Sequence, residues 1–125
     1  MQESRSYSEE VLELFSNLDH AGDLTIDSNQ IFVAEVHESE EGARLVLFVC
    51  VNKGTIAQMR FRAWGCPHFL AGAEIVCREM EGVRVDAPYD AGVQYLMKRL
   101  DVPVQKTGKM LLIEDAAQQI IAAIQ

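Results

Sequence analysis

Basic residues are scarce in this chain: 11 Lys and Arg stand against 19 Asp and Glu, for a net charge of −8. An acidic surface repels phosphate backbones, which disfavours nucleic-acid binding. The charge favours solubility but names no partner. Long apolar runs are absent, and none approaches the roughly 20 residues a membrane span needs. Proline is limited to 3 residues and glycine to 8, while 49% of the chain is hydrophobic, so low complexity and intrinsic disorder are excluded. Cysteine numbers only 3. An odd count argues against a disulfide framework and for buried thiols, one reactive thiol or a metal site. The opening stretch, Met1 to Glu10, is polar and acidic, unlike a signal or transit peptide, so the expected compartment is the cytoplasm. The 125 residues suffice for one core and are too few for two, so a single domain over 1–125 is expected.

Tyr7 to Leu18 reads as a helix. Ser8 can cap it, Glu9 and Glu10 sit in its first turn, and Val11, Leu12, Leu14, Phe15 and Leu18 recur at helical spacing. Three strands follow. Ile31 to Glu38 places Phe32, Ala34 and Val36 on one side, Leu45 to Val51 is continuously apolar, and Ile56 to Trp64 alternates. The short turns at Glu38 to Gly42 and Asn52 to Gly54 make these an antiparallel meander. Cys66-Pro67 opens a helix through Met80, with Gly82 just past its end. Asp90 to Leu100 is another helix, Val102-Pro103-Val104 is extended, and a last helix runs from Thr107-Gly108-Lys109 to about Ile124. The order αβββααα predicts an α+β fold: a three-stranded antiparallel sheet with helices packed against it.

Cys66 is the main candidate for chemistry. It sits at a strand-to-helix corner, where free N–H groups and the helix dipole favour a thiolate. His68, two residues on, is close enough to assist or to co-ligate. The plain alternative is a small capping residue with a packed thiol. Cys50 and Cys77 lie in apolar surroundings and read as inert buried thiols. His20 falls in a turn and His37 near a strand end, the usual places of solvated histidines. Cys66-Pro67-His68 is a weak metal signal, with no CxxC or HxxxH partner. Phe48, Met59 and Trp64 read as core. No Ser/His/Asp order, phosphate-binding loop or paired-carboxylate motif stands out.

The run Met59-Arg60-Phe61-Arg62-Ala63-Trp64-Gly65-Cys66 resembles the strand and corner of the iron–sulfur cluster assembly scaffolds, the NifU N-terminal or IscU-like family. Tyr7-Ser8-Glu9-Glu10-Val11 is similar to that family's opening helix, and Leu111-Leu112-Ile113-Glu114-Asp115-Ala116 to its last one. Val102-Pro103-Val104-Gln105-Lys106 resembles the segment that chaperones recognise in these scaffolds. The resemblance covers nearly the whole chain. It implies the IscU-like (SufE/NifU) fold, a role in cluster assembly as a scaffold rather than an enzyme, a monomer or weak homodimer, and cysteine desulfurase or chaperone-type partners.

Family scaffolds hold a nascent cluster with three cysteines plus an Asp or His, drawn from three loops. Cys66 matches the middle cysteine. Glu41 falls at the first cysteine and Ala43 at the Asp, with Gly42 between them; Gly108 and Lys109 take the places of the His-Cys pair. Cluster iron prefers thiolate and about four ligand positions. A set of Cys66, His68 and Glu41 suits a mononuclear Zn²⁺ or Fe²⁺ better than a cluster. Lys109 repels a cation if it points inward. The cofactor is thus left open between an iron–sulfur cluster, a mononuclear ion and none. Three readings follow: a divergent scaffold with Cys66 accepting sulfur or iron, a binding or regulatory module that has lost the cluster, and a thiol protein using Cys66 with His68 as base.

Overall fold

The computed structural model describes residues 7–26, 30–38, 40, 42–87, 89 and 92–125. The elements are α1 (Glu9–Ser16), β1 (Ile31–His37), β2 (Arg44–Asn52), β3 (Thr55–Trp64), α2 (Pro67–Met80), α3 (Val93–Leu100) and α4 (Thr107–Ile124). The sheet is antiparallel in the order β1-β2-β3. Leu45, Leu47 and Val49 of the central strand lie between Val36, Ala34 and Phe32 on one side and Ala63, Phe61 and Met59 on the other. That face is covered by α2 over β3 and by α4 over β1 and β2. Burial of β2 on both faces explains its unbroken apolar run.

Helix α1 is shorter than its apolar pattern predicts. Ser8 caps it, its Oγ accepting from Val11 N at 3.2 Å. Asn17 ends it, because its side chain donates to Glu13 O at 2.8 Å and its backbone leaves the helical region. Helix α3 begins at Val93 rather than Asp90, after an extended Gly92; Asp90 itself lies outside the described residues. Its free N-terminus is met from another element, Val93 N donating to Glu114 of α4 at 3.3 Å. Val104 is not extended. Pro103 is, but Val104–Lys106 forms a 3₁₀ turn leading into α4, closed by Lys106 N to Pro103 O at 2.9 Å.

Two glycines set the geometry around α2. A Cβ on Gly65 would stand 2.8 Å from Phe69 Cδ2, so only glycine lets β3 turn this tightly over the buried Phe69 ring. A Cβ on Gly72 would stand 2.6 Å from Ile113 Cδ1, so this glycine brings α2 and α4 together. Met59 is fully buried, as expected, but Trp64 is not core. It is half exposed on the outer face of the sheet, paired with Arg44 across the ladder, and the Arg44 guanidinium sits 4.9 Å from its ring centroid. Trp64 shares its face of β3 with Arg60 and Arg62, opposite Phe61 and Ala63, so the alternation itself turns it away from the helices that build the core.

Candidate functional site

The register that pairs His37, Arg44 and Trp64 side by side brings the end of β1, the start of β2 and the end of β3 to one end of the sheet. The Gly65-Cys66 corner follows directly. Cys66 is the N-cap of α2, with extended dihedrals and Pro67 behind it. Its side chain makes no capping hydrogen bond, so the helix's first N–H groups are not spent on it. The thiol is partly exposed, whereas Cys50 and Cys77 are fully buried. Burial, with the nearby Glu74 and Glu81 carboxylates, pushes the Cys77 thiol well above its ordinary value.

His68 is fully buried in the first turn of α2. Lys106 Nζ lies 3.0 Å from its Nδ1, and the Tyr7 ring packs on it with centroids 4.7 Å apart. Burial first, and then the Lys106 charge, lower its pKa to about 4, against a weaker opposing pull from Asp101. The ring is therefore neutral at pH 7, Nδ1 accepts from the ammonium, and the ring hydrogen sits on Nε2. That Nε2 is buried without a hydrogen-bond partner among the described residues. No hydrogen bond joins His68 to Cys66 among them either.

The other loops of this end contribute Ala43, Gly108 and Lys109 among their described residues. Ala43 is buried, its carbonyl accepting from Glu38 N at 2.8 Å. Gly108 is exposed. Lys109 does not extend freely into solvent: its ammonium meets Glu38 Oε1 at 2.7 Å, with both side chains partly buried. Glu41 lies outside the described residues. Among the described residues no three His, Cys, Asp or Glu side chains are grouped to hold a metal ion. Of the segment 102–106, Val102 is buried, Pro103 and Lys106 are partly buried, and Val104 and Gln105 are exposed.

One polar cluster is invisible to local reading. His20, expected in solvent, is mostly buried, with Nδ1 at 2.7 Å from Glu74 and Nε2 at 3.0 Å from Glu81. Glu74 is fully buried; it also accepts from His20 N and from Arg78 Nε, at 2.9 and 2.7 Å. Burial alone would raise the Glu81 carboxyl, but the Met59 N–H, His20 and Arg60 together hold it below its ordinary value. The available signal was a glutamate inside the apolar run Ala73-Glu74-Ile75-Val76. A charge there demands partners. Helix α2 is tied to α3 in a similar way: Glu79 accepts from Tyr89, Tyr95 and Arg99.

A small antiparallel sheet backed by helices, with one partly exposed cysteine on a helix cap, defines an α+β domain. The family model described as NifU-like N terminal domain matches residues 6–125, and the chain belongs to that family. It is 25% identical over 118 residues to the iron-sulfur cluster assembly scaffold protein IscU of Escherichia coli K12, covering 94% of this chain and 92% of that protein. The Shigella flexneri protein of the same description matches equally. Among solved structures, the N-terminal part of a NifU-like protein from Brucella abortus superposes with a TM-score of 0.69 at 20% identity, covering 94% of this chain and 92% of that one. A putative iron-sulfur cluster assembly scaffold protein for the SUF system from Fervidobacterium islandicum AW-1 gives 0.72 at 14% identity, with 94% and 97% covered. These structures share the fold. No helix among the described residues is long and apolar enough to cross a membrane.

Proposed function

We propose that this protein works in iron–sulfur cluster assembly through Cys66 alone, receiving sulfur or iron there, and does not hold a cluster on three cysteines of its own. The observation that carries this reading is the partly exposed Cys66 on the cap of α2, and the family resemblance puts Gly108 and Lys109 where the third cysteine's His-Cys pair would stand. The sulfur would come from a cysteine desulfurase persulfide. The Cys66 thiolate attacks the terminal sulfur, a new S–S bond forms on Cys66, and the donor leaves as thiolate with its former S–S bond broken. The segment 102–106, with Val104 largely exposed, is the surface for a chaperone-type partner. Any further metal ligands, such as Glu41, or a donor from the partner, complete coordination only in the complex.

The test is anaerobic incubation with a cysteine desulfurase and cysteine, followed by mass spectrometry of wild type and Cys66→Ser. A mass gain of one sulfur atom, confined to a peptide containing Cys66, supports the reading. Equal behaviour of the two proteins, together with no difference in iron content after reconstitution with ferrous iron and sulfide, defeats it. The second reading, a protein-interaction or regulatory module without a cluster, is favoured by the Lys109–Glu38 pair, which neutralises a carboxylate that iron would otherwise draw on.

A further inference from the structure

The described residues at the loop-bearing end do not group to hold a metal ion by themselves, and what stands among them is itself a cross-link. A metal held between loops does two jobs: it neutralises its ligands and it ties together chain segments distant in sequence. Here Lys109, in the first turn of α4, reaches Glu38, which lies 71 positions earlier just after β1. Glu38 in turn closes the β1–β2 connection through its N–H to Ala43 O. Lys106, one turn before Lys109, reaches His68, 38 positions away in the first turn of α2. Two ammonium groups from one segment therefore fasten the start of α4 to both the β1–β2 connection and the start of α2. The donor chemistry agrees. Ala43 offers no side-chain donor, Gly108 none, and Glu38 already faces a cation. A second cation beside the Lys109 ammonium would be repelled, all the more with both partners partly buried and solvent screening weakened.

We infer that the Lys109–Glu38 ion pair takes the structural place of a metal in this chain, so that the loop-bearing end is ordered with no ion bound. The inference does not depend on whether Cys66 receives sulfur. It makes this protein a family member whose loop-bearing end stays ordered in metal-free buffer and under chelation.

Thermal unfolding of the full chain tests it, followed by circular dichroism in EDTA, in metal-free buffer and with added Zn²⁺. Wild type should unfold at the same temperature in all three. Lys109→Met and Glu38→Gln should each lower Tm by about 3 °C or more. The charge-swapped double variant, Glu38→Lys with Lys109→Glu, should recover most of that loss. A wild-type Tm that rises with Zn²⁺ or falls with EDTA overturns the inference, as does a Lys109→Met variant as stable as wild type. Should the single variants fail to fold, the wild-type metal series still decides. A failed sulfur transfer to Cys66 would leave these melting temperatures unchanged, so the two ideas fall separately.

Discussion

Cys66 owes its accessibility to its neighbours more than to its own side chain. Gly65 lets the chain turn over Phe69, Pro67 begins the helix with φ already set, and the thiol is left at the rim. Gly65→Ala should therefore cost about 1–3 kcal/mol in urea unfolding, because the added methyl meets a buried ring that has nowhere to go. An unchanged midpoint would show that Phe69 yields freely. His68 is bound to pH in a definite direction. Its folded pKa of about 4 lies below the ordinary 6.5, so the unfolded chain takes up the proton first. Stability contributed by neutral His68 is complete above about pH 6.5 and is lost as pH falls toward 4, a contribution on the order of 1–3 kcal/mol. Urea midpoints of wild type and His68→Phe, measured from pH 7 to pH 4.5, should diverge as the acid is approached, with wild type losing more. Parallel profiles would contradict this. Lys106→Met removes the second cause of the shift, and NMR titration should find the His68 pKa raised.

At the scale of elements, the buried Glu74 clamps the loop after α1 onto α2. Its two oxygens meet His20 N, His20 Nδ1 and Arg78 Nε, all within hydrogen-bond distance. Glu74→Ala leaves those donors without their buried acceptor and should cost about 3–5 kcal/mol by urea unfolding. Glu74→Gln keeps the shape and some acceptors and should cost less; equal losses would argue for packing alone. This clamp also marks where sequence reasoning stops. Elements held by local signals were legible: Ser8 capping α1, Pro67 opening α2, Gly82 with positive φ past its end, and the alternation of β1 that buries Ala34 and Val36. Features made by residues far apart in sequence were not. His20 lies 54 positions from Glu74, and Glu114 caps a helix that starts 21 positions before it. The Cys66 corner was readable from a few adjacent residues, whereas the commitment of Lys109 to Glu38 and of His68 to Lys106 exists only once the chain has folded.

For the whole molecule, the arrangement of the three thiols offers a direct measure of cooperativity. Cys50 sits in the central strand and Cys77 late in α2; both are fully buried, one in the sheet and the other in the helical layer over it. Cys66 alone is partly exposed in the folded state. The buried apolar residues of the sheet, α1, α2, α3 and α4 form one continuous cluster, so neither layer keeps a core if the other leaves. A thiol reagent applied under native conditions should therefore modify Cys66 quickly and the other two only through unfolding. As urea is raised, labelling of Cys50 and Cys77, resolved by peptide mass spectrometry, should follow one shared midpoint, coincident with the loss of circular dichroism. The Cys77 thiol, held protonated by burial, has a second reason to wait for unfolding, since the thiolate is the reacting form. Separate midpoints would mean that the helical layer opens while the sheet persists, and the chain would then be two cooperative units rather than a single domain. One midpoint for both would tie the order around Cys66 to the stability of the entire core, so that substitutions as distant as Glu74 should change how long the Cys66 corner stays formed.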